Sequence, residues 1–169
     1  VGRDVSELEL DRDQAFRRAM GAFATGVTVI STARPNGGFS GITANSFTSV
    51  SLNPRLVLWC LGDQSERYDH FAEANAWGVT FLAAHEREIA RRFSNSALES
   101  MALPEVEMFG GAPVLKGVGV TQLACVTHDK RIAGDHLIII GEVREVRVQA
   151  GDALTFFRGR YGRTTAEDA

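Results

Sequence analysis

Apolar and polar positions change period several times along this chain, and each change marks an element boundary. Phe16, Met20 and Phe23 recur at i, i+4 and i+7, the spacing of one buried helix face. Asp11 or Asp13 can cap this helix. The pattern carries it to about Ala24, and Gly26 ends it. Val27–Thr32 reads as a strand and Pro35-Asn-Gly-Gly38 as a hairpin turn. Residues 41–52 form the return strand, which Asn53-Pro54 breaks. Arg55–Leu61 is a buried strand, and Gly62-Asp-Gln-Ser65 leads into a short helix ending near Ala74. Trp77–Leu82 is a strand, Glu86–Phe93 a helix, and residues 94–112, with Pro104 and Gly110-Gly111, read as loop. Strands follow at about Gly117–His128, Leu137–Ile140 and Glu142–Gln149, and residues 154–157 add a short piece. Residues 1–10 read as an arm and the tail from Gly162 as frayed. Many strands and few helices, without regular alternation, predict a single mainly β domain, a barrel or sandwich.

Composition adds limits. A chain of 169 residues is one domain's worth. Its 44% hydrophobic and 23% charged residues suit a soluble globular protein. A net charge of -3 with no basic stripe argues against nucleic acid. No apolar run is long enough to span a bilayer. The opening Val-Gly-Arg-Asp has no apolar signal region, so a cytoplasmic protein is expected. Cys60 and Cys125 sit in apolar runs and are expected to be buried, reduced thiols. His70, His85, His128 and His136 lack metal-ligand spacing, so no metal is expected.

The polar stretch from Gly41 to Leu52 carries Thr43, Asn45, Ser46, Thr48, Ser49 and Ser51 and no charge. In a continuous strand Thr43, Asn45, Phe47, Ser49 and Ser51 share one face. That face is either a hydroxyl-rich edge or a donor surface for a planar, polar partner, and Phe47 among the donors suits a flat heterocycle. Ser65 opens a helix as its N-cap, and a helix N-terminus also attracts anions. Arg87, Arg91 and Arg92 form either a solvated face or a phosphate contact. Gly134-Asp-His136 is either a plain turn or a site at the mouth of a buried strand. No Gly-x-Gly-x-x-Gly, Walker loop or nucleophile elbow occurs, so a dinucleotide would not be held by a Rossmann turn.

Four pieces, in their order and spacing, resemble the short-chain flavin reductases, the reductase components of two-component flavin-dependent monooxygenases. They are Phe23-Ala-Thr-Gly-Val-Thr-Val29; Gly41-Ile-Thr-Ala-Asn-Ser-Phe-Thr-Ser-Val-Ser-Leu-Asn-Pro54; Ala133-Gly-Asp-His136 with Gly141-Glu-Val143; and Arg160-Tyr161. The resemblance runs from about Phe16 to Tyr161. It implies an FMN-binding split β-barrel, Greek-key-like, with a few short helices, usually a homodimer. It implies an enzyme that uses NADH or NADPH to reduce FMN or FAD and releases the reduced flavin to a partner monooxygenase. Matching positions imply Thr43, Ala44, Asn45 and Ser46 near the isoalloxazine ring, with Ser49 and Val50 close by. They imply Ser65 and its neighbours, with Arg91, Arg92 or Phe93, at the flavin phosphate, and His136 and Tyr161 near the nicotinamide. Asn53-Pro-Arg55 departs where relatives often show a second proline, and residues 94–112 match least well. Hydride transfer is the cofactors' own chemistry, so the protein need only stack two rings at a fixed distance. The rivals are a pyridoxamine-phosphate-oxidase-like enzyme on a related barrel, which should lack Gly-Asp-His, and a flavin-binding or flavin-sensing module without turnover.

Overall fold

A computed structural model describes residues 5–35, 37–95 and 105–164 of the chain. Among these described residues, three helices and twelve strands follow in order: α1 Val5–Gly21, β1 Thr25–Gly26, β2 Thr28–Ala33, β3 Phe39–Ala44, β4 Thr48–Leu52, β5 Arg55–Gly62, α2 Tyr68–Ala72, β6 Ala76–Phe81, α3 Arg87–Ser94, β7 Val106–Phe109, β8 Ala112–Leu115, β9 Thr121–Ala133, β10 His136–Val148, β11 Ala153–Phe157 and β12 Arg160–Thr164. A seven-stranded sheet runs β3-β2-β6-β9-β10-β5-β4, beside a three-stranded sheet β1-β11-β12 and the hairpin β7-β8. All these pairings are antiparallel. The protein is therefore mainly β. No described helix is long and apolar enough to cross a membrane.

Strand β2 explains how the layers join. Thr28–Thr32 are buried on both faces, which a half-exposed strand never is. Ile30 joins a core with Trp59, Trp77, Val79, Leu123 and Ile139. Val29 joins a second core with Leu82, Ala90, Phe93, Leu115 and Leu154. The polar residues of β2 are buried because each is bonded. Thr28 Oγ1 donates to the Ala44 carbonyl at 2.8 Å, Ser31 Oγ to Pro113 at 2.6 Å and Thr32 Oγ1 to Ala76 at 2.9 Å. Strand β8 presses so closely here that a Cβ on Gly78 would lie 2.1 Å from the Pro113 oxygen. In the first core Trp59 meets Phe71 and Trp77 edge-on, with centroids 5.2 and 6.2 Å away. Such pairs contribute about 0.5–1.5 kcal/mol each beyond their buried area.

Several sequence expectations are corrected. Helix α1 begins at Val5, so residues 5–10 are helical and not an arm. Its Phe16–Met20 edge, continued by Phe23, is not buried: the three are 66%, 53% and 71% exposed. The spacing marked a face that needs cover, but this chain's own sheets do not supply it. Residues 41–52 are not one strand. They divide into β3 and β4, the two opposite edges of the seven-stranded sheet, so no single polar face runs through them. The break at Asn45–Phe47 lets the Phe47 ring reach Phe81, 5.2 Å between centroids.

Leu137–Ile140 and Glu142–Gln149 merge into β10, whose register shifts between Ile140 and Gly141. A Cβ on Gly141 would stand 2.3 Å from the Trp77 indole, so the glycine seats that ring. Strand β9 continues past His128 to Ala133. Within the expected loop 94–112, Gly110-Gly111 is the turn of the β7-β8 hairpin, both with positive φ (53° and 84°); residues 96–104 lie outside the described residues. The tail is not frayed from Gly162, because β12 pairs with β11 as far as Thr164. Residues 1–4 and 165–169 lie outside the described residues. Cys125 is buried, and burial pushes its thiol up to about 12, but Cys60 is only half-buried.

Candidate functional site

At the end of β3 the chain passes the C-terminus of α3, the turn at Ser65 and the β11-β12 hairpin. Three adjoining cavities follow this path. A cavity of about 350 Å³ is lined by Ile42, Thr43, Gln64, Ser65, Glu66, Arg67 and Ser94. One of about 140 Å³ is lined by Val27, Thr43, Asn45, Phe156 and Tyr161. The third, about 810 Å³, brings Asn45, Ser46, Thr48, Thr25 and Phe156 together with Phe16 and Met20 of α1. Thr43 belongs to the first two cavities, and Asn45 and Phe156 to the last two, so they form one groove.

An account of each hydroxyl's proton divides the donors expected from sequence. Thr43 Oγ1 donates to the Ala90 carbonyl at 2.7 Å, tying β3 to α3. Ser46 Oγ donates to the Cys60 carbonyl (3.2 Å) and accepts from the Cys60 N–H (3.0 Å), bridging the end of β3 to β5. Both protons are committed to the fold. Ser65 Oγ only accepts, from Arg67 N–H at 3.3 Å, so its proton remains for a ligand. Asn45 is exposed, with its carboxamide at the junction of two cavities. Ala44 turns its methyl into the core and offers the groove backbone alone.

The remaining sequence candidates are placed as follows. Ser65 is not the cap of α2: the N-cap position is Arg67, with no side-chain cap bond. Ser65 instead starts the turn before the helix, its N–H on the Gly62 carbonyl and its own carbonyl taking the Tyr68 N–H. Phe93 is 2% exposed. Its ring lies over Gly41, where a Cβ would come within 2.5 Å of it. Arg91 and Arg92 point toward Glu88 at 3.9 and 3.8 Å and line none of the three cavities. Ser49 lines a further, mostly apolar cavity of about 520 Å³ with Val57, Leu123 and Val143, which adjoins the groove through Gly26, Val27, Phe47 and Thr48, and Val50 is exposed on β4.

Tyr161 is in the groove, edge-on to Phe156 with centroids 5.3 Å apart. His136 lines none of the three cavities. Its imidazole packs by Gly62, with Nε2 3.6 Å from where a Cβ there would sit. Its Nδ1 meets Asp135 Oδ1 at 2.8 Å, and that bond holds the Asp135 carboxyl below the usual carboxylate range. His136 therefore flanks the Gly62–Ser65 turn, while Tyr161 stands at the other end.

Sequence reading missed Phe156 and Thr25 as lining residues, and it included Gln64 and Arg67 only as unnamed neighbours of Ser65. Thr25 was within a quoted motif and Arg67 two residues past Ser65, so both had a signal; Phe156 becomes visible only once β11 folds back on β12.

The groove suits a flavin. Thr25 Oγ1 is buried with no hydrogen-bond partner among the described residues, a donor left over by the fold. Asn45 can meet a carbonyl edge, Phe156 and Tyr161 can flank a flat ring system, and the Ser65 proton is available to an anion.

The chain is similar in sequence and fold to known flavin reductases. The FMN reductase (NADH) SmoA of Agrobacterium fabrum is 38% identical over 153 residues, covering 90% of this chain and 87% of that protein. The solved flavin reductase PheA2, in its native state, aligns with a TM-score of 0.84 at 38% identity, covering 91% of this chain and 99% of the other. The styrene monooxygenase flavin reductase SMOB of Pseudomonas putida S12 aligns with a TM-score of 0.83 at 28% identity, covering 90% and 98%. The sequence profile described as the flavin reductase like domain matches residues 20–165, and with that span the chain belongs to this family.

Proposed function

We infer that this protein is an NADH-dependent flavin reductase that reduces FMN or FAD and hands the reduced flavin to a partner monooxygenase. The observation that carries this is the continuous groove of β3, polar at the Ser65 end and aromatic at the Tyr161 end. When both nucleotides are bound, the nicotinamide supplies a hydride and the flavin takes it up. Everything else is positioning. Asn45, with the backbone of Ala44 and Ser46, holds the carbonyl edge of the ring. Phe156 and Tyr161 form its wall and exclude water. Ser65 donates to the phosphate. His136, oriented by Asp135, contacts the nicotinamide nucleotide from beside Gly62. Thr43 and Phe93 keep β3 and α3 in register rather than touching the ring.

The same reading covers the architecture. Strands β3 and β4 are opposite edges of one sheet yet are joined by only residues 45–47. A sheet curled until its edges lie close, without pairing, is a split barrel. Exposed Phe16, Met20 and Phe23, with Leu52 91% exposed on β4, form apolar surface that a second copy would cover, so the working unit is a homodimer. A reductase that depends on NADH belongs in the cytoplasm, where NADH is regenerated.

The test is NADH consumption with FMN, FAD or neither. Consumption should require added or retained flavin. Flavin-independent NADH loss, or none with either flavin, overturns the reading.

A further inference from the structure

We propose that Glu86 is a positioning residue that sets the width of the ring slot, the gap between β3 and the β11-β12 hairpin. This rests on the flavin reductase reading above and adds a residue outside the groove to its machinery.

Glu86 is 9% exposed and occupies the N-cap position of α3. Its carboxylate is committed to backbone. Oε2 accepts the Ala83 N–H at 2.7 Å, and both oxygens accept the Gly119 N–H at 3.0 Å. Its own N–H donates to the Ala83 carbonyl, and its carbonyl takes the Ile89 and Ala90 N–H groups that start the helix. His85 Nε2 stands 4.0 Å away but is 85% exposed, so that pair counts for little. A buried carboxylate held by backbone donors at a helix N-terminus is favourably placed.

Both walls of the slot trace back to these bonds. On one side, the segment that Glu86 holds carries β11. Ala83 bridges Ala153, the Ala84 N–H bonds the Asp152 carbonyl, and the Leu154 N–H bonds the Leu82 carbonyl. Two residues further along β11 is Phe156, which pairs with Tyr161 of β12 and Thr25 of β1. On the other side, α3 holds β3. The Ala90 carbonyl, one turn past Glu86, takes the Thr43 hydroxyl, and Asn45 lies two residues on. Glu86 is therefore the junction between the aromatic wall and the donor edge, though it lines none of the three groove cavities. Gly119 anchors the junction. A Cβ there would stand 2.5 Å from the Phe81 oxygen, so the turn that Glu86 grips lies pressed against the end of β6. A purely structural Glu86 would steady these turns without affecting ring placement.

Stopped-flow hydride transfer from NADH to FMN, with both saturating, reads the slot. Glu86→Ala should slow it by up to about 100-fold, the scale of a one-ångström misplacement. Glu86→Gln, which keeps an acceptor for the Ala83 N–H, should recover most of the rate. Thr127→Val is the control for stability alone. Thr127 bonds Ala74 and Trp77 and lines none of the groove cavities, so its loss should leave the rate unchanged. Lumiflavin, the ring without its phosphate tail, should lose the same factor in affinity as FMN in Glu86→Ala. A wild-type rate in folded Glu86→Ala overturns the proposal. So does equal slowing in Thr127→Val, or weakened FMN binding with lumiflavin binding unchanged, which would place the effect at the phosphate end. If Glu86→Ala does not fold, Glu86→Asp decides. Its carboxylate is one methylene short of Ala83 and Gly119, so slowed transfer supports the proposal and a wild-type rate overturns it. A wild type with no flavin-dependent NADH loss fails the reductase reading itself, and the proposal with it.

Discussion

The two ends of the groove are built in different ways. At the Ser65 end the described residues are tied to one another. Its turn is bonded to Gly62 and Tyr68, its helix is pinned by Thr43 and Arg67, and Phe93 beneath it is buried. The Tyr161 end is open. It is walled by exposed Phe16, Met20 and Phe23, and it keeps the Thr25 hydroxyl without a hydrogen-bond partner among the described residues. A finished end suits a ligand part that never changes, the phosphate tail. An open end suits the part that must be reached from outside and then depart.

Phe93→Ala is the most severe way to break this contrast. Removing a buried aromatic costs about 3–5 kcal/mol, and urea unfolding should show that loss together with weakened FMN binding. A stable variant with intact FMN affinity would mean the finished end does not depend on the Phe93–Gly41 contact.

The open end is tested by Phe16→Asp combined with Met20→Lys. Each change is at a surface position of the single chain, so fold stability should move by only ~0.5 kcal/mol per site. Light scattering should nevertheless show half the wild-type mass, and flavin turnover should fall. An unaltered mass would show that a second copy does not cover α1.

Adjacent residues sharpen the contrast further. Ser46→Ala strips the Cys60 backbone of its partner and should cost about 1–3 kcal/mol of stability, with flavin affinity little changed. Asn45→Ala should do the reverse: stability within ~0.5 kcal/mol and flavin binding weaker by about tenfold. Paired unfolding and titration curves check both, and a stability loss at Asn45 with none at Ser46 would invert the assignment.

The smallest effect is at the Asp135–His136 pair. Its folded carboxyl titrates below the usual range, so its contribution is present above the unfolded value, ~3.9, and is lost as pH falls through the folded one. Asp135→Asn should flatten that acidic limb of the stability curve slightly. An identical limb in the variant would show that the exposed pair contributes nothing.

Much of this was readable in the chain. The hydrophobic runs of β5 and β6 and the hairpin turn before β3 predict themselves, because one face or both must be apolar. Of the motif residues, Thr43, Asn45 and Tyr161 line one cavity and Ser46 the next. What could not be read is how hydroxyls are spent. Thr43 and Ser46 look like donors until Ala90 and Cys60 are found at their side, contacts 47 and 14 residues away in sequence. Nor could one strand be told from two at 41–52, because Phe47 leaves the alternation only to meet Phe81. The helix-like spacing of Phe16 and Met20 was correct as periodicity. It said that the face wanted cover but not whose.

Strand β1 pairs with β11, Thr25 opposite Phe156 and Gly26 opposite Thr155. The first strand of the fold is thus held by nearly the last. Leu154 of β11 also belongs to the core that holds Val29, Ala90 and Phe93, so that core closes only when β11 has docked. Pairings between segments so far apart in sequence carry a loop-closure cost before they return any contact energy and are slow to form.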